Sequence, residues 1–203
     1  MKLKDIVMQY LENIKYSIKQ KTYLFYLQMN DIYIVGFNKD ISLRNLNEFL
    51  ISIKGKYSYS TTKLIKSLIN RSLNFAFENG LTKEKIVITL HLKSQQIRKV
   101  KALEKQEQEK LEKYIYDNKR IYSYGVLISL YTGLRLGELL ALKWENIDFK
   151  HNLLKVTSTL SKCLENHKQI EIIDSPKTNS SIREIPLTND LIMLFKELKN
   201  KKS

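Results

Sequence analysis

The chain has 203 residues, enough for one domain or two small cores, and its 43% hydrophobic and 28% charged residues strike an ordinary globular balance. The formal charge of +14 is not ordinary, and it favours a polyanionic partner, with nucleic acid ahead of a membrane surface. A single cysteine, Cys163, excludes an intramolecular disulfide and a cysteine metal cluster, and no apolar run approaches the ~18 residues of a membrane span.

The charge is uneven: residues 1–99 hold 17 Lys/Arg against 7 Asp/Glu, and residues 100–203 hold 18 against 14. Lysines outnumber arginines 29 to 6, so each arginine carries more information than each lysine. Met1-Lys-Leu-Lys-Asp enters an amphipathic pattern and has no signal-peptide character, in keeping with a cytoplasmic protein.

Leu3, Ile6, Val7, Tyr10, Leu11 and Ile14 repeat at helical spacing, and a second helix is predicted over about 19–29. Residues 32–37 read equally as a short strand or a buried connector. Ser42 is placed to cap a helix through Ile53. Ser58-Tyr59-Ser60 opens the most regular helix, stopped by Asn79-Gly80, with Leu64, Ile65, Leu68, Ile69, Leu73, Phe75, Ala76 and Phe77 expected on its inner side. Its outer surface is expected to present Ser60, Thr61, Thr62, Lys63, Lys66 and Arg71, hydroxyls and cations of the kind that hold a DNA backbone. A solvated helix face accounts equally well for any one of them.

Residues 96–103 read as a linker between two domains. A helix is predicted from Glu104 to about Tyr116, and another over about 120–131 that is apolar nearly all round and expected at the buried centre of the second domain. Leu153–Leu160, Gln169–Ile173 and Ile182–Pro186 read as strands of one small antiparallel sheet, and Thr188 is placed to cap a last amphipathic helix. The fold class is therefore mainly α with a small antiparallel β-sheet.

Between these elements lies Tyr131-Thr-Gly-Leu-Arg-Leu-Gly-Glu-Leu-Leu-Ala-Leu-Lys-Trp144. Arg135 and Glu138 stand three residues apart on one face at a helix start, and Leu134, Leu139, Leu140 and Leu142 offer an apolar anchor. A guanidinium fixed by a carboxylate is well shaped to grip two phosphate oxygens. His91, His151 and His167 have no ligand-like spacing, so neither metal nor cofactor is expected, and there is no Gly-rich phosphate loop.

The stretch Thr132–Phe149, followed by Ser175-Pro-Lys-Thr-Asn-Ser-Ser-Ile-Arg-Glu-Ile-Pro-Leu187, resembles the tyrosine recombinases, most nearly the integrases of phages and conjugative transposons. The resemblance covers about residues 104–203 as the front half of a catalytic domain, while residues 1–95 resemble the family's helical core-type DNA-binding domain. It implies double-stranded DNA as partner, other recombinase protomers as possible partners, and no membrane. It also implies roles. Arg135 would hold non-bridging oxygens of the scissile phosphate, Glu138 would brace the site, and Lys177, on a hairpin with Thr178 and Asn179 that reaches DNA, would protonate the departing 5′ oxygen.

The family's His-x-x-Arg pair, its further His or Trp and its nucleophilic tyrosine all follow the hairpin. The 16 residues after Leu187 contain none of them. The expectation is thus a truncated integrase-type recombinase that binds DNA and has no nucleophile for a covalent phosphotyrosyl step. A stand-alone DNA-binding regulator, or a partner of a full-length integrase, is the alternative.

Overall fold

The computed structural model describes residues 1–91, 101–118, 120–165, 168–175 and 182–200. The chain divides into two compact units, Met1–Arg98 with Cys163–Ile170, and Lys99–Lys162 with Glu171–Ser203.

The first unit is helical: α1 (Leu3–Ile14), α2 (Gln20–Met29), α3 (Leu43–Lys54) and α4 (Tyr59–Glu78). Ser42 and Ser58 cap α3 and α4, their hydroxyls accepting the N–H of Asn45 and Thr61. The stretch 32–37, open between strand and connector by sequence, is no strand: its first three residues close a π-helical turn, Asn30–Ile34, that continues α2 and buries Ile34. Leu3, Ile6, Val7 and Leu11 of α1 pack with Leu46 and Leu50 of α3 and with Ile65, Leu68, Ile69 and Leu73 of α4.

The buried stripe of α4 runs Thr62, Ile65, Leu68, Ile69, Ser72, Leu73, Ala76, in steps of three and four. Two expectations fail against it. Leu64 and Phe77 lie about 100° or more from the middle of that stripe and are exposed, whereas Thr62 falls on it and is fully buried. Beyond α4, the Asn70 side chain accepts the N–H of Ile88 at 2.9 Å and donates to its carbonyl at 3.1 Å, so one amide pins the departing chain to the helix.

The second unit begins with α5 (Lys105–Asn118) and α6 (Ile121–Thr132). Tyr124, Leu127 and Ile128 place α6 in a core with Ile115, Leu154, Leu191 and Phe195. The helix is not buried all round, since Tyr122 and Val126 face solvent. Its composition hid an inner side only three or four residues wide. After α7 (Leu136–Leu140) and a 3₁₀ turn the chain continues through β1 (Ile147–Asp148), β2 (Leu153–Val156), β3 (Thr159–Glu165), β4 (Lys168–Asp174), β5 (Arg183–Pro186) and α8 (Asn189–Asn200), with the end of β3 and the start of β4 counted in the first unit.

The strands form two small sheets rather than one. β1, β2 and β5 make an antiparallel sheet in that order, with Leu154 opposite Ile185 and Val156 opposite Arg183, while β3 pairs with β4. The expected single strand over 153–160 breaks at Thr157 and Ser158, where the apolar alternation stops and two hydroxyl residues line a cleft beside Glu138 instead.

Candidate nucleic-acid interface

Gly133 ends α6 in the left-handed conformation (φ 65°), which a glycine adopts without steric cost, and the chain turns there into α7. Arg135 is the residue before the first turn of α7, and its N–H donates to Glu138 Oε2 at 3.0 Å. α7 is inverted relative to an ordinary amphipathic helix. Its buried side chain is the carboxylate of Glu138, while Leu136 and Leu140 are exposed. Leu140 therefore does not join the expected apolar anchor, which falls to Leu134 and the partly buried Leu139 and Leu142.

Glu138 has a side chain only 5% exposed, against 76% for Arg135. A carboxylate this deep stays charged only when its lone pairs are satisfied. Arg135 Nη1 donates to Oε1 at 2.9 Å, and Arg183, from β5, donates through Nη1 to Oε1 at 3.2 Å and through Nη2 to Oε2 at 2.9 Å. These bonds hold the carboxyl at about 2, well below 4.5; those from Arg183 contribute most, burial opposes, and Arg135 adds through its backbone N–H and its guanidinium. The partnership pushes Arg183 upward in turn.

α7 can lie this close to the sheet region because position 137 has no side chain. A Cβ there would stand 2.5 Å from Thr159 Oγ1 and 2.8 Å from the Leu160 carbonyl oxygen of β3. The assembly thus presents an exposed, oriented guanidinium, a group that grips paired phosphate oxygens. Glu138 also takes the N–H of Arg135, one of the donors that a helix start otherwise offers to an anion.

Arg135 and Glu138 are thus brought together, and Lys177, Thr178 and Asn179 lie outside the described residues. On α4, Ser60, Lys63 and Arg71 are exposed and share an arc of about 80° at 100° per residue. Arg71 also donates to the Tyr26 hydroxyl at 3.3 Å. Thr61 is half-buried, with its hydroxyl 2.9 Å from that of Ser58. Lys66 is turned away to the Leu90 carbonyl at 2.8 Å. Thr62 cannot serve an outer face, because it is buried and its hydroxyl donates to the Ser58 carbonyl at 3.1 Å.

Sequence reasoning overlooked Arg183, reading it only as part of a strand. The scarcity of arginine was the available signal. Among the described residues no group of three or more His, Cys, Asp or Glu is placed to hold a metal ion, and no helix is long and apolar enough to cross a membrane. His151 serves a turn, its Nδ1 2.8 Å from Asp148 Oδ2.

Residues 91–203 match the model of the phage integrase family, which is more than half of the chain. The chain belongs to the phage integrase family. A tyrosine recombinase XerC-like protein of Caldanaerobacter subterraneus subsp. tengcongensis (strain DSM 15242 / JCM 11007 / NBRC 100824 / MB4) is 28% identical over 199 residues, covering 88% of this chain and 48% of that protein. The Tn1549 transposon integrase, solved with transposon right-end DNA, shares the fold at a TM-score of 0.79 and 22% identity, over 100% of this chain and 66% of that one. A lambda integrase dimer bound to a core site gives a TM-score of 0.64 at 19% identity, over 86% and 62%. This integrase-family chain therefore spans about half the length of the curated relative and about two thirds of the solved chains.

Proposed function

We propose that these 203 residues are a DNA-gripping portion of an integrase-type tyrosine recombinase of a phage or mobile element, and that alone they bind duplex DNA without cutting it. In this reading residues 1–95 form a core-type DNA-binding domain, 96–103 a linker, and 104–203 the front part of a catalytic domain. The observation that carries the reading is the exposed Arg135 guanidinium held on the buried, ionised Glu138. Further support comes from the excess of positive charge in residues 1–99, from the exposed arc of Ser60, Lys63 and Arg71, and from two structural relatives that were solved on DNA.

Arg135 holds the non-bridging oxygens of a backbone phosphate, the interaction that stabilises charge building on phosphorus during transfer. Glu138 fixes the guanidinium and takes no part in proton movement. Lys177 supplies the proton to the departing 5′ oxygen when an attacking group is present. The stretch after Leu187 offers no His, Arg, Trp or Tyr for the remaining roles, so the phosphodiester stays intact.

Titration of a labelled duplex over a range of salt tests the reading. Affinity falls steeply as salt rises, with a log–log slope of about −0.9 per phosphate neutralised. Arg135→Ala lowers that slope by about one and weakens binding to all sequences alike. Supercoiled DNA incubated with the chain stays un-nicked. Unchanged affinity and slope in Arg135→Ala, or nicking by the wild type, refutes the proposal.

A further inference from the structure

Arg183 stands on β5 opposite Val156 of β2, six residues along the chain from Lys177. It meets Glu138 with two nitrogens on two oxygens, the bidentate geometry that a lysine cannot reproduce. Its own side chain is 30% exposed, far less than the 76% of Arg135, so its bonds to Glu138 are the less screened of the two pairs. Without it, a carboxylate 5% exposed would depend on one largely solvated arginine to stay ionised.

We propose that Arg183 is a positioning residue for Arg135: by clamping both oxygens of Glu138 it keeps that carboxylate charged and correctly turned, and so sets the direction in which Arg135 meets a DNA phosphate. This rests on the phosphate-gripping role of Arg135 given above. Arg183 itself leaves the phosphate alone. One carboxylate thereby joins the α7 arm of the site to the strand that follows the Lys177 segment.

The charged and titratable groups around Glu138 are few. Arg135 and Arg183 bond it, and Lys155 of β2 borders the same cleft and pairs with Glu184 at 3.4 Å. α6, packed on α7, carries only tyrosines as titratable groups, and β3, which meets α7 at Thr159 and Leu160, carries Lys162, paired with Glu171 at 3.6 Å. Among the described residues no histidine stands in this group, so a change between pH 7 and pH 5 in a variant lacking Arg183 reads Glu138 itself.

The test is a double-mutant cycle on binding to a labelled non-specific duplex, using the whole chain with Arg135→Ala, Arg183→Met, both, and Arg183→Lys, each across salt and at pH 7 and 5. Arg183→Met is expected to weaken binding about fivefold when Arg135 is present and less than about twofold when it is alanine, with the salt slope lowered by about one in either single variant and no further in the double. Its deficit relative to wild type grows as pH falls, because Glu138 then takes up a proton and releases Arg135. Arg183→Lys keeps the charge, so its smaller deficit stays flat with pH.

Equal losses with and without Arg135, an additional drop in slope in the double variant, or a deficit independent of pH for Arg183→Met overturns the proposal. If Arg183→Met does not melt cooperatively, Arg183→Lys carries the same cycle, and equal losses in the two backgrounds overturn it. Arg135→Ala binding as well as wild type refutes the phosphate-gripping role instead, and this inference with it.

Discussion

Two glycines in the second unit sit inside helices, and the structure assigns opposite signs to their replacement by alanine. Helix propensity alone favours alanine at both by about 1 kcal/mol. At Gly125 of α6 the added methyl would lie 3.4 Å from Leu139 Cδ2, the end of a flexible side chain, so Gly125→Ala is expected to be neutral or up to about 1 kcal/mol stabilising. At Gly137 it would lie 2.5 Å from Thr159 Oγ1 and 2.8 Å from a backbone oxygen that cannot rotate away. α7 must then retreat by roughly half an ångström or more, and overpacking of this kind costs about 1–3 kcal/mol. Because one of the two contacts is to backbone, the upper part of that range, about 2–3 kcal/mol, applies, and subtracting the propensity gain leaves Gly137→Ala about 1–2 kcal/mol less stable, a fall in Tm of roughly 2–8 °C for a chain of this size. Urea melts should show a lower midpoint with an unchanged slope. A Gly137→Ala protein that melts at or above the wild-type temperature refutes the close approach of α7 to β3.

Replacing Glu138 by Gln should cost roughly 3 kcal/mol at pH 7, from a carboxyl held at about 2 instead of 4.5 and about 1.4 kcal/mol per pKa unit. A depressed carboxylate stabilises above its unfolded pKa, and that stabilisation fades as pH falls from about 4.5 to about 2, so urea midpoints of wild type and Glu138→Gln should converge in acid; a gap that does not change with pH contradicts this account. Asn70→Ala removes both bonds to Ile88 and should speed hydrogen exchange at Ile88 while costing about 1–3 kcal/mol; unchanged protection there refutes the clasp. Thr62→Val should leave DNA affinity within about twofold, since the side chain is buried and the Ser58 carbonyl keeps its bond from the Thr62 N–H at 3.0 Å; a large loss of binding restores Thr62 to the outer face.

The helices were legible because their signals are local. Ser42 and Ser58 bond backbone N–H groups three residues on, and Gly133 needs only its own φ. Glu138 as a brace for Arg135 was readable too, from a spacing of three. What escaped notice depends on distant partners. Arg183 matters because β5 lies beside β2 and places it on a carboxylate 45 positions away. Gly137 matters because β3 passes over it, and Leu140 is exposed because a carboxylate, not a leucine, occupies the inner side of α7. Thr62 was misplaced for a subtler reason, since a hydroxyl that bonds its own helix backbone can line a core as well as a surface.

The two oxygens of Glu138 receive four donors: the backbone N–H and Nη1 of Arg135, and both terminal nitrogens of Arg183. A proton arriving there would have to evict one of them. The acid nearest the exposed arginine is therefore barred from shuttling hydrogen ions at any physiological pH, and whatever chemistry is completed at this surface must draw its acid and its base from other side chains.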